Sequence, residues 1–309
     1  YLSRPVPKHM RVAAIEGGGT KFFAAVGSPA SITQQCTRIA TTTPDETLPK
    51  LLDYLRAEHK KNAFSAIGIG SFGPLGIDPN NNTYGVIGPT TKPHWENVNF
   101  TEEFAEFQVP VAVTTDVNAA ALAESILGSA RSCERVIYVT IGTGIGGGIV
   151  INNQIEQGQF HPEIGHMRIT VNPNDPMPNG SCSFHGNCLE GLASGPAIEQ
   201  RWGSNLSTLG ENHSGQKLQA NYLAQMCMNL LLTITPDTII LGGGVMQTPS
   251  LLAKVRLELR TMINHYLPRF ESEAAIKQLI RAPAYPFSSG LVGAALLAQG
   301  FHQKQYSKE

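Results

Sequence analysis

Arg135-Val-Ile-Tyr-Val-Thr-Ile-Gly-Thr-Gly-Ile-Gly-Gly-Gly-Ile-Val-Ile-Asn152 is the stretch on which the fold turns. Gly142, Gly144 and Gly147 spell the dinucleotide-binding fingerprint, which requires a helix directly after its last glycine. Ile149, Val150 and Ile151 instead continue as a β-branched run, so the segment reads as strand, glycine turn, strand. An earlier stretch repeats it: Arg11-Val-Ala-Ala-Ile15, then Glu16-Gly-Gly-Gly-Thr-Lys21, then Phe22-Phe-Ala-Ala-Val26. That turn is not a Walker A loop, which needs Gly-Lys-Ser/Thr leading into a helix. Glycines let backbone approach an anion closely, and Thr20 and Lys21 add a hydroxyl and a cation. Two such hairpins in two halves of one chain predict a duplicated α/β domain with a phosphate clamped between the turns.

Beyond the second hairpin, His161-Pro-Glu-Ile-Gly-His166 and Ser181-Cys-Ser-Phe-His-Gly-Asn-Cys-Leu-Glu-Gly191 concentrate metal-type ligands. His166, Cys182, His185 and Cys188 make a closed four-ligand nitrogen and sulfur set, the pattern of a structural zinc site. Glu163 and Glu190 are poor company for thiolates and read as facing a polar, hydroxyl-rich ligand. A zincin helix is excluded because Pro162 intervenes and the His–His spacing is one residue too long. A zinc deaminase is excluded because Cys-Ser-Phe-His does not supply Pro-Cys-x-x-Cys. A Cys182–Cys188 disulfide is the blander reading and ranks below zinc in an otherwise unstapled chain with 5 cysteines.

Elsewhere the pattern alternates strands and helices. Thr47–Ala57 is amphipathic, with Pro49 tolerable in a first helical turn, and Ala66–Gly70 is a buried strand. Ser71–Gly76 is a turn after that strand, where Gly73 serves either as plain turn or as close backbone approach to a ligand. The polar loop Thr90–Trp95 divides evenly between lining a substrate and simple packing. Pro110–Thr115 reads as strand and Asp116–Glu124 as helix, which puts Asp116 at a strand's carboxyl end and a helix N-terminus. Its bland role there is an N-cap and its functional role a general base, and the two are compatible. Ser194–Trp202, Gln216–Leu232 and Leu251–Tyr266 read as helices. Thr238–Leu241 is a strand entering a third glycine turn, Gly242-Gly-Gly-Val-Met246. The small-residue helix Gly290–Ala298 should pack closely on a partner element.

At 309 residues the chain exceeds one ordinary core, so two domains are expected. A formal net charge of -1 with no basic stripe argues against nucleic acid, and no apolar run or signal pattern points to a membrane. Scattered cysteines fit a reduced, cytoplasmic setting. Residues 1–9 fall outside the pattern and read as an appended segment, with Met10 as a natural start.

Taken together, Glu16-Gly-Gly-Gly-Thr20, Thr115-Asp116-Val-Asn118, Thr140–Gly148, Glu163-Ile-Gly-His166, Cys182–Glu190 and Gly242–Gly244 follow the order of the ROK family of sugar kinases. The resemblance runs from Met10 to about Ala298, and the Cys-x-x-His zinc loop is most similar to that family's bacterial fructokinases. It implies an α/β, actin-like (ribonuclease H-like) ATPase fold with two related α/β domains around a cleft. Their expected extents are 10–125 and 126–289, with a C-terminal helix 290–303 packing back on the first domain. It further implies transfer of the γ-phosphoryl of ATP to the 6-hydroxyl of D-fructose, with Mg²⁺ bridging the phosphates and a structural Zn²⁺. By resemblance Asp116 is the catalytic base, and Thr115, Glu163, His166 and Glu190 meet the sugar, beside which Gly73 is placed by its turn. Thr20, Lys21, Thr143 and Gly144 face the phosphates, and Pro196, Gly243, Gly244 and Val245 line the nucleotide side. Two positions depart from many members, Glu16 for Asp and Thr115 for Asn, and the latter, a sugar contact, weakens the case for glucose. A homodimer is expected. The rival readings are a kinase for glucose, mannose or an amino sugar, and a sugar-sensing regulator, for whose helix-turn-helix the stretch before the first hairpin leaves no room.

Overall fold

A computed structural model describes residues 10–90, 92–285 and 288–306; the reading of residues 1–9 lies outside them. The described chain divides into two units, 10–123 with Gly158–His161 and 288–306, and Glu124–Gln157 with 162–285. No helix among the described residues is long and apolar enough to cross a membrane.

The first unit is built on strands β1 (Val12–Gly17), β2 (Lys21–Gly27), β3 (Cys36–Ala40), β4 (Ile67–Ser71) and β5 (Val111–Thr115), in the order β3-β2-β1-β4-β5. The predicted hairpin is present, with β1 and β2 antiparallel from Val12↔Gly27 to Gly17↔Phe22. β1 pairs parallel with β4, and β4 parallel with β5. Helix α1 (Pro44–Lys61) is longer than its predicted core because Pro44 opens the first turn and Asp45 and Glu46 suit its N-terminal dipole. It buries Leu48, Leu51 and Leu55, one turn apart, against the sheet. A short helix α2 (Phe100–Glu103) precedes β5, and α3 (Asp116–Ile126) follows it.

β4 is buried along its whole length, and its glycines explain how. A Cβ on Gly68 would stand 1.8 Å from the Ala294 carbonyl oxygen, and one on Gly293 would stand 1.7 Å from that of Ala119. The terminal helix Ser289–Tyr306 therefore lies backbone-to-backbone on β4 and α3, as its small residues predicted. Substituting either glycine would force these elements apart.

The second unit carries β6 (Arg135–Ile141), β7 (Ile145–Ile151), β8 (Gln154–Ile155), β9 (Thr238–Gly242) and β10 (Ile280–Arg281). Its order is β10-β9-β6-β7-β8, with β6–β7 and β7–β8 antiparallel and β6–β9 and β9–β10 parallel. Strand for strand this is the plan of the first unit, so the duplication read from the two glycine turns extends to the whole sheet. Helices α4 (Leu189–Ala193), α5 (Gly195–Trp202), α6 (Ser214–Ile234), α7 (Leu251–Ile263) and α8 (Glu273–Leu279) complete it. α7 stops short of the predicted Tyr266 because Asn264 and His265 take left-handed backbone, with φ of 44° and 64°.

Beneath α5 and α6 lies a buried ion pair. Arg201 Nε donates to Asp175 Oδ1 at 2.7 Å, and both side chains are almost wholly enclosed. Tyr222 Oη donates to Asp175 Oδ2 at 2.6 Å, and the Met177 amide reaches Asp175 Oδ1 at 2.7 Å. One carboxylate thus ties the 172–177 segment to two helices, and its hydrogen bonds satisfy the charge that burial would otherwise penalise.

Candidate active site

In the first unit, β5 delivers Asp116 to the start of α3. The capping role falls to its neighbour: Thr115, 2% exposed, accepts the Asn118 amide on Oγ1 at 3.2 Å. Asp116 is thereby relieved of the N-cap, and its carboxylate is met by the adjacent Val117 amide, at 2.9 Å from Oδ1, and by its own backbone amide. The Thr115 hydroxyl, expected to meet sugar, also serves the helix start as an acceptor.

Desolvation pushes the Asp116 carboxyl up to about 6, against the pull of the Val117 amide and the positive influence of His161. His161 is a residue that the sequence reading used only to dismiss metalloenzyme templates. It is buried, and its Nε2 lies 3.2 Å from where a Cβ on Gly73 would stand. A side chain on Gly73 would crowd His161, and Gly73, His161 and Asp116 form one neighbourhood. No local signal marks His161, because 45 residues separate it from Asp116 in sequence.

The first glycine turn, Gly18-Gly19-Thr20, projects at the end of β1, closed by the Gly18 amide on the Lys21 carbonyl at 2.9 Å. Glu16, one strand residue before it, accepts the Leu291 amide at the start of the terminal helix, at 3.0 Å. Burial, and next the Asp116 charge, raise Glu16 to about 7, opposed by that amide and by Lys21. Thr20 is exposed, whereas Lys21 places its ammonium 5.0 Å from the centre of the Phe23 ring. Trp95 itself falls on the packing side of the evenly divided reading of its loop. It is 1% exposed, stacks on Phe22 at 5.3 Å and donates Nε1–H to the Thr42 carbonyl at 2.7 Å.

In the second unit the metal-type residues do converge. The ligand atoms of His166, Cys182, His185 and Cys188 lie within 4.8 Å of one another. His166 Nδ1 stands 3.3 Å from His185 Nδ1, 3.8 Å from Cys182 Sγ and 3.6 Å from Cys188 Sγ. Zinc–ligand bonds of about 2.0–2.3 Å put tetrahedral edges at about 3.3–3.8 Å, so the set fits a zinc ion. The cysteines are free, which disposes of the disulfide.

Glu190 sits in α4, two residues after Cys188, and its Oε2 accepts the Ile145 amide of the second glycine turn at 2.8 Å. A Cβ on Gly144 would stand 2.8 Å from that oxygen, so the turn needs glycine there to receive the carboxylate. The Gly195 amide donates to the Gly142 carbonyl at 2.7 Å, gripping the same turn at its other end. Gly165 presses equally close, since a Cβ there would lie 1.9 Å from the Ile145 carbonyl oxygen. The groups of this unit expected to face sugar and phosphate are thus one connected piece: Glu163 and His166 lie within two residues of Gly165, and Glu190 reaches the turn directly. Thr143 at its tip is exposed. Pro196 occupies the first turn of α5, which Ser194 caps through the Ala197 amide at 3.4 Å. Gly243, with φ of 89°, and Gly244 carry β9 into Val245, whose Cγ2 lies 3.9 Å from a Cβ position on Gly195.

Two sheets of one order, each opening on a glycine hairpin, are the plan of the actin-like, ribonuclease H-like fold. The ROK hexokinase of Thermus thermophilus shares that fold, with a TM-score of 0.74 at 24% identity, covering 97% of this chain and 100% of the other. Residues 12–300 match the ROK family, and the chain belongs to it. A fructokinase of Pediococcus pentosaceus is 39% identical over 291 residues, 94% of this chain and 98% of its own length. One of Zymomonas mobilis is 39% identical over 295 residues, 94% of this chain and 97% of its own.

Proposed function

We propose that this protein is an ATP-dependent fructokinase, transferring the γ-phosphoryl of ATP to the 6-hydroxyl of D-fructose. The similarity to fructokinases over nearly the whole of both chains supports the substrate. The observation that carries the chemistry is Asp116, a carboxylate freed from capping and tuned to about 6, where a base is ionised at neutral pH yet still basic enough to accept a proton.

Asp116 takes the proton of the 6-hydroxyl as that oxygen bonds to the γ-phosphorus, and the bond to the β-phosphate bridge breaks to release ADP. Phosphoryl transfer leaves a protein little covalent work, so positioning and charge neutralisation carry most of the rate. Mg²⁺, bound with ATP, supplies part of that neutralisation. Glycine-turn amides and Thr20 and Thr143 hold the phosphates, with Pro196, Gly243, Gly244 and Val245 beside the nucleotide. Glu163, His166 and the free oxygen of Glu190 hold sugar hydroxyls. Zinc on His166, Cys182, His185 and Cys188 acts structurally, fixing the His166 ring and the start of α4.

A coupled assay of ADP release over a hexose panel tests the reading. D-fructose should give the highest kcat/KM, which should fall on the acid side with a midpoint near pH 6. Asp116→Asn should lower kcat by about 10²–10⁴ with the fold intact. Wild-type rates from that variant, or no fructose-dependent ADP release, would refute the assignment.

A further inference from the structure

Lys92 lies over the first glycine turn. A Cβ built on Gly19 would stand 3.2 Å from Lys92 Nζ and 3.4 Å from its Cε, so the end of this side chain occupies the space above the Gly19 α-carbon. Among the described residues the Lys92 ammonium has no hydrogen bond and no carboxylate partner. Its surroundings are partly dry, and desolvation lowers its pKa. A cation drawn out of water without a counter-ion is unfavourable unless an anion completes the arrangement.

The side chain is also aimed by its backbone. Trp95, three residues on, is wedged between Phe22 at 5.3 Å and Phe72 at 5.5 Å, and its own amide donates to the Lys92 carbonyl at 3.3 Å. Phe22 belongs to β2 immediately after the turn, so the loop bearing Lys92 and the turn beneath it share one aromatic anchor. The turn is fixed from its other side, where Thr41 Oγ1 donates to the Gly18 carbonyl at 2.9 Å and the Thr41 amide to the Thr20 carbonyl at 3.1 Å. Lys21, the cation that sequence adjacency assigned to the phosphate, is by contrast drawn along the Phe23 ring and acts on Glu16.

We propose that Lys92 is the phosphate ligand of the first glycine turn, its ammonium holding the terminal phosphoryl group of the nucleoside triphosphate above Gly19. A strongly hydrated point charge on a long stem, dried by its neighbours and unpaired, is the form in which lysine binds phosphate. A side chain at Gly19 would crowd the ammonium, so glycine leaves it room over the turn. The inference rests on the kinase reading but not on which sugar is used.

The decisive comparison needs no sugar. Calorimetric titration of the wild-type protein, Lys92→Met and Lys92→Arg would use Mg²⁺ with ADP and with a non-hydrolysable ATP analogue. In Lys92→Met the ATP analogue should bind about 10- to 100-fold more weakly, the range of a charge-assisted contact, while ADP affinity stays within about threefold. Lys92→Arg should recover most of the loss by restoring the cation. Equal weakening of ADP and analogue, or an analogue affinity unchanged in Lys92→Met, would overturn the proposal. Absence of fructose phosphorylation by the wild type would defeat the fructokinase reading and leave this comparison standing. A melting temperature at or above wild type in Lys92→Met would exclude a packing role, since removing an unpaired cation from a dry place does not weaken the fold.

Discussion

Asp116→Asn should abolish most activity and at the same time stabilise the protein. Ionised Asp116 is held where water is scarce, which raises its pKa from 3.8 to about 6. Each pKa unit corresponds to 1.36 kcal/mol, so the ionised carboxylate costs the folded state about 3 kcal/mol at neutral pH. The group retains an open edge, making that figure an upper bound, and about 1–3 kcal/mol is the expected gain on neutralisation. Asparagine preserves the shape and can still accept the Val117 amide, so little is lost in return. For units of this size the gain amounts to a melting temperature higher by a few degrees at pH 7.5. The pH dependence is the sharper test. Because the folded pKa lies above the unfolded one, the cost is full above pH 6 and shrinks as pH falls through the folded value. It vanishes below about pH 3.8, where the carboxyl is protonated in both states. The gap in stability between variant and wild type should therefore close between pH 7 and pH 4, with Glu16, whose pKa the Asp116 charge also raises, adding to it in the same direction. Scanning calorimetry at several pH values measures it. An Asp116→Asn variant no more stable than wild type at pH 7.5, or a gap that persists at pH 4, would refute the desolvation argument.

Two further expectations follow from the second unit. Removal of zinc by a chelator should lower its stability and weaken fructose and nucleotide binding together, because Glu190, two residues beyond Cys188, grips the Ile145 amide. Elemental analysis finding no metal in fully active protein, or chelation that leaves nucleotide affinity unchanged, would count against it. Asp175→Ala should cost about 3–5 kcal/mol by urea denaturation, since it strands the enclosed Arg201 without its partner. A loss below about 1 kcal/mol would mean that water readily replaces the carboxylate.

Local chemistry makes much of this protein legible in its sequence. The β-branched run after Gly148 excludes a dinucleotide fold, because strand and helix differ in periodicity within a few residues. The repeated hairpin announces the duplication, and β8 and β10, only two residues each, could be placed only once the sheet was assembled. The ligand types and spacing at Cys182, His185 and Cys188 identify a metal-type set, since short loops bring near neighbours together whatever the fold. The roles of Thr115 and Asp116 were not separable in this way. Both are good helix starters, and which of them caps depends on backbone direction at the strand end.

What the sequence determined by itself is therefore whatever rests on short-range rules: strand against helix after a glycine, ligand spacing, the apolar stripe of α1 and the closely packed terminal helix. Tertiary structure alone decided which distant groups share a space. It brought His161 beside Gly73 and Asp116, placed Lys92 over Gly19, and set the Glu190 carboxylate on the Ile145 amide. It also raised Asp116 and Glu16 towards neutrality. The physical reason is that burial and electrostatic potential are sums over neighbours in space, and sequence distance carries almost no information about those sums.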